Sequence, residues 1–230
     1  NIESDPFAKA VPIFDLDDTL YPEISYVYSG FRAVAKYLEN RFGWNSVDSF
    51  NHMEQSLFSM GRGAIFDALL KNKGHYTPSV VSACVRIYRT HKPTIILNKE
   101  AKNLLTKLSV PCFLVTDGNK VVQHKKVTSL GIEPYFKKIY ITHRYGICHA
   151  KPSTRCFELI RKSLDCEWRD MIYIGDNPAK DFINLKPLGM NTVRIMTGEY
   201  SKIQAAPAYD ADLHISNLDE LSALFNLETL

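Results

Sequence analysis

The stretch Phe14-Asp15-Leu16-Asp17-Asp18-Thr19-Leu20 follows directly on the apolar residues Pro12 and Ile13. This change from apolar to acidic residues determines the architecture that we expect for the chain. An apolar strand ending in acidic residues delivers them at the carboxyl edge of a parallel sheet, where open α/β sheets bind ligands. Asp15 and Asp17 face the same side of an extended chain, so one could attack a substrate while the other handles a proton. Taken alone, the pair is explained equally well by an acidic turn after a strand.

Short β-branched and aromatic runs recur along the chain, each followed by a longer stretch with helical spacing. Strands that alternate with helices predict a parallel sheet, so the expected fold class is α/β. Gly131 and Gly189 are predicted to end two helices, and a last helix is predicted from Asn217 to Leu224. The predicted strands are Pro12–Phe14, Cys112–Val115, Ile139–Thr142, Met171–Ile174 and Thr192–Ile195.

The interval between the first two strands contains no convincing strand and reads as an inserted helical subdomain. Apolar spacing predicts one helix from Val27 to Phe42, and further helices start near Val47, after Gly61 and with Thr77 as N-cap. Four helices suffice for a small bundle. We therefore predict a core domain of residues 1–20 and 93–230 and a helical cap domain of residues 21–92.

Polar residues also follow the later strands. Thr116 and Asp117 follow the second strand, where a hydroxyl and the N–H groups of a helix N-terminus could hold a phosphoryl oxygen. Lys151 precedes a predicted helix start and could neutralise an anion. Asp176 and Asp181 surround another predicted helix start, and carboxylates together with a substrate phosphate suit Mg²⁺. Each feature alone is also explained as a turn, a cap or a solvated side chain.

In combination, the order DxDxT, Thr after a strand, Lys-Pro and GDxxxxD resembles the four-motif signature of the haloacid-dehalogenase-like superfamily. The motifs extend from Asp15 to Asp181, and the helical insert resembles the C1 cap of subfamily I. The resemblance implies a Rossmann-like parallel sheet with an inserted α-helical cap. It also implies a phosphatase, a hydrolase of phosphoric monoesters.

The resemblance further implies roles for individual residues. Asp15 matches the nucleophile that becomes an aspartyl phosphate, and Asp17 matches the acid that protonates the leaving alkoxide and later activates water. Thr116 and Lys151 match the groups that hold the transferring phosphoryl. Asp117 stands where the family often has Asn, and we expect it to affect the backbone of this phosphate-binding segment.

A metal ion is implied in the same way. Asp15, Asp176 and the backbone carbonyl of Asp17 match the ligands of Mg²⁺, and Asp181 matches a second acidic position that supports the metal. Independently of the resemblance, several carboxylates converging on one sheet edge would repel one another without a cation.

The motifs leave three alternatives to a phosphatase to be weighed. Dehalogenases of this superfamily lack the acid found here at Asp17, which argues against carbon–halogen hydrolysis. Phosphomutases retain both acids, so a mutase stays open as the alternative to a phosphatase. A non-catalytic module of a larger biosynthetic protein is the third alternative, although the retained Asp15, Asp17 and Lys151 favour an enzyme.

A C1 cap closing over the site predicts a small substrate. The stretch from Asp18 to Pro22 is similar to pyrimidine-nucleotide phosphatases and also to sugar-phosphate phosphatases, so nucleoside monophosphates and sugar or polyol phosphates remain rivals. Within the predicted cap, Arg62 lies between two glycines and is a candidate for substrate specificity, with an exposed helix–helix turn as the alternative.

Composition excludes several partner classes. The net charge of +3 without a basic tract predicts no nucleic-acid polymer as partner. The chain has no apolar run of membrane-spanning length, and its first residues are unlike a signal peptide, so we expect no membrane association and a cytoplasmic location. Sequence does not determine the oligomeric state.

Overall fold

The computed structural model of the protein describes residues 7, 9–225 and 227. Their contacts divide the chain into two compact units. The α/β unit runs to Glu23 and resumes at Ile96, and the helical unit is Ile24–Ile95. Each of the two predicted domain borders lies three residues before the corresponding border between these units. That the units are separate domains stays a prediction.

A parallel sheet forms the centre of the α/β unit. Its strands are β1 Val11–Phe14, β2 Phe113–Thr116, β3 Lys138–Ile141, β4 Met171–Gly175, β5 Asn191–Ile195 and β6 Leu213–Ile215. Among the described residues the sheet has six strands in the order β3-β2-β1-β4-β5-β6, and every neighbouring pair is parallel. The strand order reverses between β1 and β4, which sets the carboxyl ends of β2, β1 and β4 side by side. The predicted fold class is confirmed.

Eight α-helices lie in the described part of the chain, and none is long and apolar enough to cross a membrane. Five short 3-10 turns accompany them, at Glu133–Tyr135, Thr142–Tyr145, Ile147–His149, Trp168–Asp170 and Lys186–Leu188. The helices are α1 Glu23–Phe42, α2 Ser46–Met60, α3 Ile65–Asn72, α4 Pro78–Thr90, α5 Lys99–Lys107, α6 Lys120–Leu130, α7 Arg155–Leu164 and α8 Glu220–Leu224.

The central strands are almost completely buried. Every residue of β2 and β4 is buried, as are the last three residues of β1. Such continuous apolar strands are typical of parallel sheets covered on both faces. Ile13 is in register with Phe113 on one side and with Tyr173 on the other, so the pairing of β1 fixes where its carboxyl end lies in the sheet.

Side-chain caps define the starts of two helices in the helical unit. The Asn45 side chain accepts hydrogen bonds from the backbone N–H groups of Val47 and Asp48 at the start of α2. Thr77 accepts from the N–H of Val80 at the start of α4, as the sequence predicts. These bonds satisfy N–H groups that have no partner within the helix. The prediction of four helices in this segment is confirmed.

The segment after β4 differs from the prediction. The prediction of a helix that begins near Asp176 and ends at Gly189 is wrong. The chain instead forms turns, followed by the 3-10 turn Lys186–Leu188. The Asn177 side chain accepts from the N–H of Ala179 at 2.9 Å and closes a local turn. Pro187 lacks an N–H group and its ring would clash within a continuing α-helix.

Two C-terminal features also differ from expectation. The edge strand β6 is not predicted from sequence, and α8 begins at Glu220 instead of Asn217. The Glu220 carboxylate accepts a hydrogen bond of 2.8 Å from the N–H of Ser216, which holds the preceding residues in a turn. Residues 226 and 228–230 lie outside the described residues, and the predicted helix ends before them.

Phe31 lies at the centre of an aromatic cluster in the helical unit, with ring centroids of Phe50, Phe66 and Tyr88 between 6.2 and 6.4 Å away. It is 2% exposed, whereas Phe58 of the same unit is 74% exposed. We expect Phe31→Ala to lower the free energy of unfolding by about 3–5 kcal/mol through the lost contacts and the cavity left behind. Phe58→Ala, the matched control, should change it by less than about 0.5 kcal/mol. Urea denaturation measures both, and equal effects would contradict this packing.

Candidate active site

The carboxyl ends of three adjacent strands bring polar side chains into a buried region. Asp15 follows β1, Thr116 ends β2 and Asp176 follows β4. These residues are 5%, 0% and 4% exposed, respectively. The N–H of Asp15 donates to the carbonyl of Ile174 at 2.8 Å, which extends the pairing of β1 and β4 up to the first acidic residue. The sheet edge chosen from the sequence is therefore the edge where these residues lie.

Three of the carboxylates form a compact cluster. Oxygen atoms of Asp15, Asp176 and Asp181 lie within 4.8 Å of one another, and all three residues are buried. A Cβ atom at position 175 would lie 2.5 Å from a carboxylate oxygen of Asp181, so Gly175 makes this close approach possible. The donor set consists of carboxylate oxygens alone, which suits a hard divalent cation.

The positive charge near this cluster is too small to keep all three carboxylates ionised. Burial raises the pKa of Asp15 to about 6, with Lys151 opposing and Asp181 adding to the effect. Burial, together with the charges of Asp15 and Asp181, raises the pKa of Asp176 to about 9. Because buried carboxylates in contact resist ionising together, a bound cation would allow all of them to be charged. The residues present thus fit a divalent metal ion.

Lys151 is the buried cation of this cluster. Its ammonium group lies 3.1 Å from Asp15, 2.8 Å from Asp181 and 2.7 Å from the Tyr173 hydroxyl, and its side chain is 1% exposed. Burial lowers the pKa of Lys151, but Asp15 and Asp181 outweigh burial and hold the pKa well above its ordinary value. Lys151 therefore stays positively charged beside the predicted nucleophile.

The carboxylate of Asp17 has different partners. One oxygen accepts from the Tyr21 hydroxyl and from the Lys126 ammonium at 2.7 Å, and the other accepts from the Gln123 amide at 2.9 Å. Burial raises the pKa of Asp17, but Lys126, Tyr21 and Gln123 outweigh it, so the pKa lies below its ordinary value. The two acidic residues of the first motif thus occupy different electrostatic surroundings.

Asp117 connects several loops through its carboxylate. One oxygen accepts from the Thr142 hydroxyl at 2.8 Å and from the backbone N–H of Lys151 at 3.0 Å, and the other accepts from Lys180 at 3.0 Å. Its pKa is lowered, because Lys151 and Lys180 outweigh the effect of burial. The side chain is committed to these donors, which fits an effect on backbone position.

Arg62 belongs to the helical unit, whereas the other predicted site residues belong to the α/β unit. It is exposed, in the turn between α2 and α3, and the flanking Gly61 and Gly63 both have positive φ values. Within the helical unit it borders a cavity of about 330 Å³, together with Tyr88 and Arg89. Its role in specificity stays a prediction.

Sequence reasoning missed several residues of the site. Tyr21, Gln123 and Lys126 hold Asp17, and Lys180 pairs with Asp117. The spacing of three residues places Gln123 and Lys126 on one face of α6, but it does not indicate which residue they contact. From the sequence, Tyr21 was recognised only as an aromatic residue that follows the first motif, and its hydrogen bond to Asp17 was not predicted.

Known proteins resemble this chain in sequence and in fold. The family model described as haloacid dehalogenase-like hydrolase matches residues 12–195. A protein named glyceraldehyde 3-phosphate phosphatase from Methanocaldococcus jannaschii is 30% identical, over 91% of this chain and 93% of that protein. A protein of the same name from Methanopyrus kandleri is 27% identical, over 95% of this chain and 96% of that protein.

Among solved structures, the putative HAD-hydrolase YfnB from Bacillus subtilis, bound to magnesium, superposes with a TM-score of 0.69. It is 18% identical and the match covers 94% of this chain and 98% of that one, so the likeness concerns the fold. The family model and the curated relatives together show that the protein is an α/β hydrolytic enzyme. The chain belongs to the haloacid dehalogenase-like hydrolase family. The prediction of a phosphoric monoester hydrolase is confirmed by these relatives.

Removing the Asp117 carboxylate would leave Thr142, Lys180 and the N–H of Lys151 without this acceptor. We expect Asp117→Ala to lower the free energy of unfolding by about 2–4 kcal/mol, since each buried unpaired donor costs about 1–3 kcal/mol. Asp117→Asn keeps an acceptor oxygen and should lose less. The control Asp219→Ala, at an exposed carboxylate, should change little. Urea denaturation is the measurement, and an Asp117→Ala protein as stable as the control would contradict the role of this carboxylate.

Proposed function

We propose that the protein is a Mg²⁺-dependent phosphatase that hydrolyses a small sugar phosphate, of the type of glyceraldehyde 3-phosphate, through an aspartyl phosphate on Asp15. The observation that carries this proposal is the position of Asp15, buried at the end of β1 with a carboxylate oxygen 3.1 Å from the ammonium of Lys151. The names of the curated relatives favour a sugar phosphate over a nucleoside monophosphate.

In the first step a carboxylate oxygen of Asp15 attacks phosphorus, and the bond from phosphorus to the substrate oxygen breaks. Asp17 is ionised in the free enzyme, because Lys126, Tyr21 and Gln123 hold its pKa low. It takes the proton of the bound phosphate monoanion and gives it to that leaving oxygen, which departs as an alcohol. In the second step Asp17 takes a proton from water while the water oxygen attacks phosphorus. The bond between phosphorus and Asp15 breaks, the departing inorganic phosphate takes the proton from Asp17, and both carboxylates are again ionised.

Thr116 and Lys151 hold the transferring phosphoryl group in this proposal. Thr116 is fully buried at the end of β2, and Asn119 caps the N-terminus of α6 immediately beyond it. Lys151 supplies a positive charge that stays in place throughout, because Asp15 and Asp181 hold it protonated. Phosphoryl transfer depends chiefly on such positioning and charge stabilisation.

Mg²⁺ would be held by the carboxylates of Asp15 and Asp176 and by the backbone carbonyl of Asp17. Asp181 would support these ligands, since it also accepts from Lys151 and from the N–H of Asn177 at 2.9 Å. When bound, the metal supplies charge neutralisation at the phosphoryl group. The oxygen-only donor set and the raised pKa of Asp176 support this assignment.

Arg62 is proposed to contribute to substrate specificity from the turn between α2 and α3. A phosphomutase is less favoured than a phosphatase because the curated relatives are named as phosphatases. A non-catalytic module is disfavoured by the intact Asp15, Asp17 and Lys151. The cytoplasmic location and the absence of a nucleic-acid partner stay predictions.

Phosphate release from a panel of substrates tests the proposed function. The panel contains glyceraldehyde 3-phosphate, other sugar and polyol phosphates, and nucleoside monophosphates, each with Mg²⁺ and with excess EDTA. We expect Mg²⁺-dependent release, fastest from the short sugar phosphates. Fastest release from nucleotides would contradict the substrate class. Release that is unaffected by EDTA would contradict the metal, and silence across the panel would contradict the phosphatase assignment.

Substitution of the two acidic residues tests their separate roles. Asp15→Asn removes the attacking oxygen and should abolish turnover, and Asp17→Asn removes the proton carrier and should lower kcat by at least about 100-fold. Circular dichroism should show intact folds for both, with wild-type protein as the reference. Retained turnover in purified Asp15→Asn protein would overturn the assignment of the nucleophile.

A further inference from the structure

Two polar side chains of α6 are buried, although neither belongs to a recognised motif. Gln123 is 2% exposed and Lys126 is 3% exposed. They are three residues apart and therefore lie on one face of the helix. Both reach Asp17, Lys126 at 2.7 Å to one carboxylate oxygen and Gln123 at 2.9 Å to the other. The face of α6 that enters the interior is thus the face that holds this carboxylate.

Gln123 also connects Asp17 to the predicted phosphate-binding hydroxyl. Its side-chain nitrogen lies 2.7 Å from Oγ1 of Thr116 as well as 2.9 Å from Asp17. An ionised carboxylate only accepts hydrogen bonds, so the amide nitrogen of Gln123 must face it. The second amide hydrogen then points to Thr116, whose oxygen acts as acceptor. The hydroxyl hydrogen of Thr116 remains available to donate to a phosphoryl oxygen.

Lys126 fixes the other carboxylate oxygen of Asp17. Its side chain is 4% exposed, and a buried ammonium group is tolerated only with a close anionic partner. The Tyr21 hydroxyl donates to the same oxygen. Both oxygens of Asp17 are therefore held by donors, so the rotation of its carboxylate is restricted.

We propose that Gln123 and Lys126 are positioning residues for catalysis. Together they hold the carboxylate of Asp17 where it exchanges a proton with the leaving oxygen, and Gln123 aims the Thr116 hydroxyl at the phosphoryl group. The inference rests on the proposed function and adds to it two residues that act through Asp17 and Thr116 without touching the substrate.

The test compares two substrates, the best alkyl phosphate of the panel and p-nitrophenyl phosphate. The nitrophenolate group leaves without a proton, whereas an alkoxide needs one. In wild-type, Lys126→Met and Gln123→Met proteins, kcat/KM is measured for both substrates, because kcat/KM reports the steps up to departure of the leaving group. A partly unfolded preparation lowers both values by the same factor, so their ratio isolates positioning of Asp17.

We expect Lys126→Met to lower kcat/KM for the alkyl phosphate by about 100-fold, a typical general-acid contribution, and for p-nitrophenyl phosphate by less than about 5-fold. Gln123→Met should shift the ratio in the same direction. It should also raise the inhibition constant of inorganic phosphate by about 3- to 10-fold, since one hydrogen bond to the anion loses its orientation. Lys126→Met should leave that constant unchanged.

Lys102→Met and Gln55→Met, at exposed positions of α5 and α2, repeat the same chemical changes away from Asp17 and should match wild type. Suppose that the wild type is active but both α6 variants have ratios and inhibition constants within about 2-fold of the wild-type values. This result would overturn the inference and leave the proposed function intact. An inactive wild-type protein would overturn the proposed function, and the inference with it.

Discussion

The site depends on one buried interaction, the contact of the Lys151 ammonium with the carboxylates of Asp15 and Asp181. The three charges come from separate parts of the chain and meet only because the parallel sheet aligns its carboxyl ends. Removing Lys151 would leave both carboxylates buried without their cation, which costs several kcal/mol in comparable pairs, on the order of 3–5. The absence of a side chain at Gly175 and the turn at Asn177 then serve to bring Asp181 within reach.

Much of the fold follows from local signals in the sequence. The predicted strands agree with β1 to β5 to within one residue at each end, because long buried apolar runs bounded by turn residues leave few alternatives. The segment after β4 was mispredicted because the capping pattern at Asp176 also fits the turns that form there, and Pro187 allows no α-helix to continue to Gly189. The edge strand β6 was not predicted, because a strand of three residues is too short to show a recognisable periodicity.

The motif residues were predictable, whereas the residues that hold Asp17 were not. Apolar spacing predicts α6 from Val121 and Leu130. In the structure, however, Val121 is 46% exposed, whereas Gln123 and Lys126 are buried. A rule that turns Val121 inward therefore selects the wrong face of this helix, although the buried Val127 lies on the correct face. Only the tertiary structure reveals that a carboxylate 106 residues earlier in the chain provides the partner for Gln123.

The order of the strands has a consequence for the protein during its synthesis. The unit Ile24–Ile95 is one continuous segment that is made before β2, so all the residues that it needs are present before the sheet can form. β1 is made earlier still, yet Ile13 must wait for Phe113 and then for Tyr173 before both of its edges are paired. An apolar strand with open edges invites pairing with other chains. The nascent polypeptide is therefore most in need of chaperone protection until β4 has emerged.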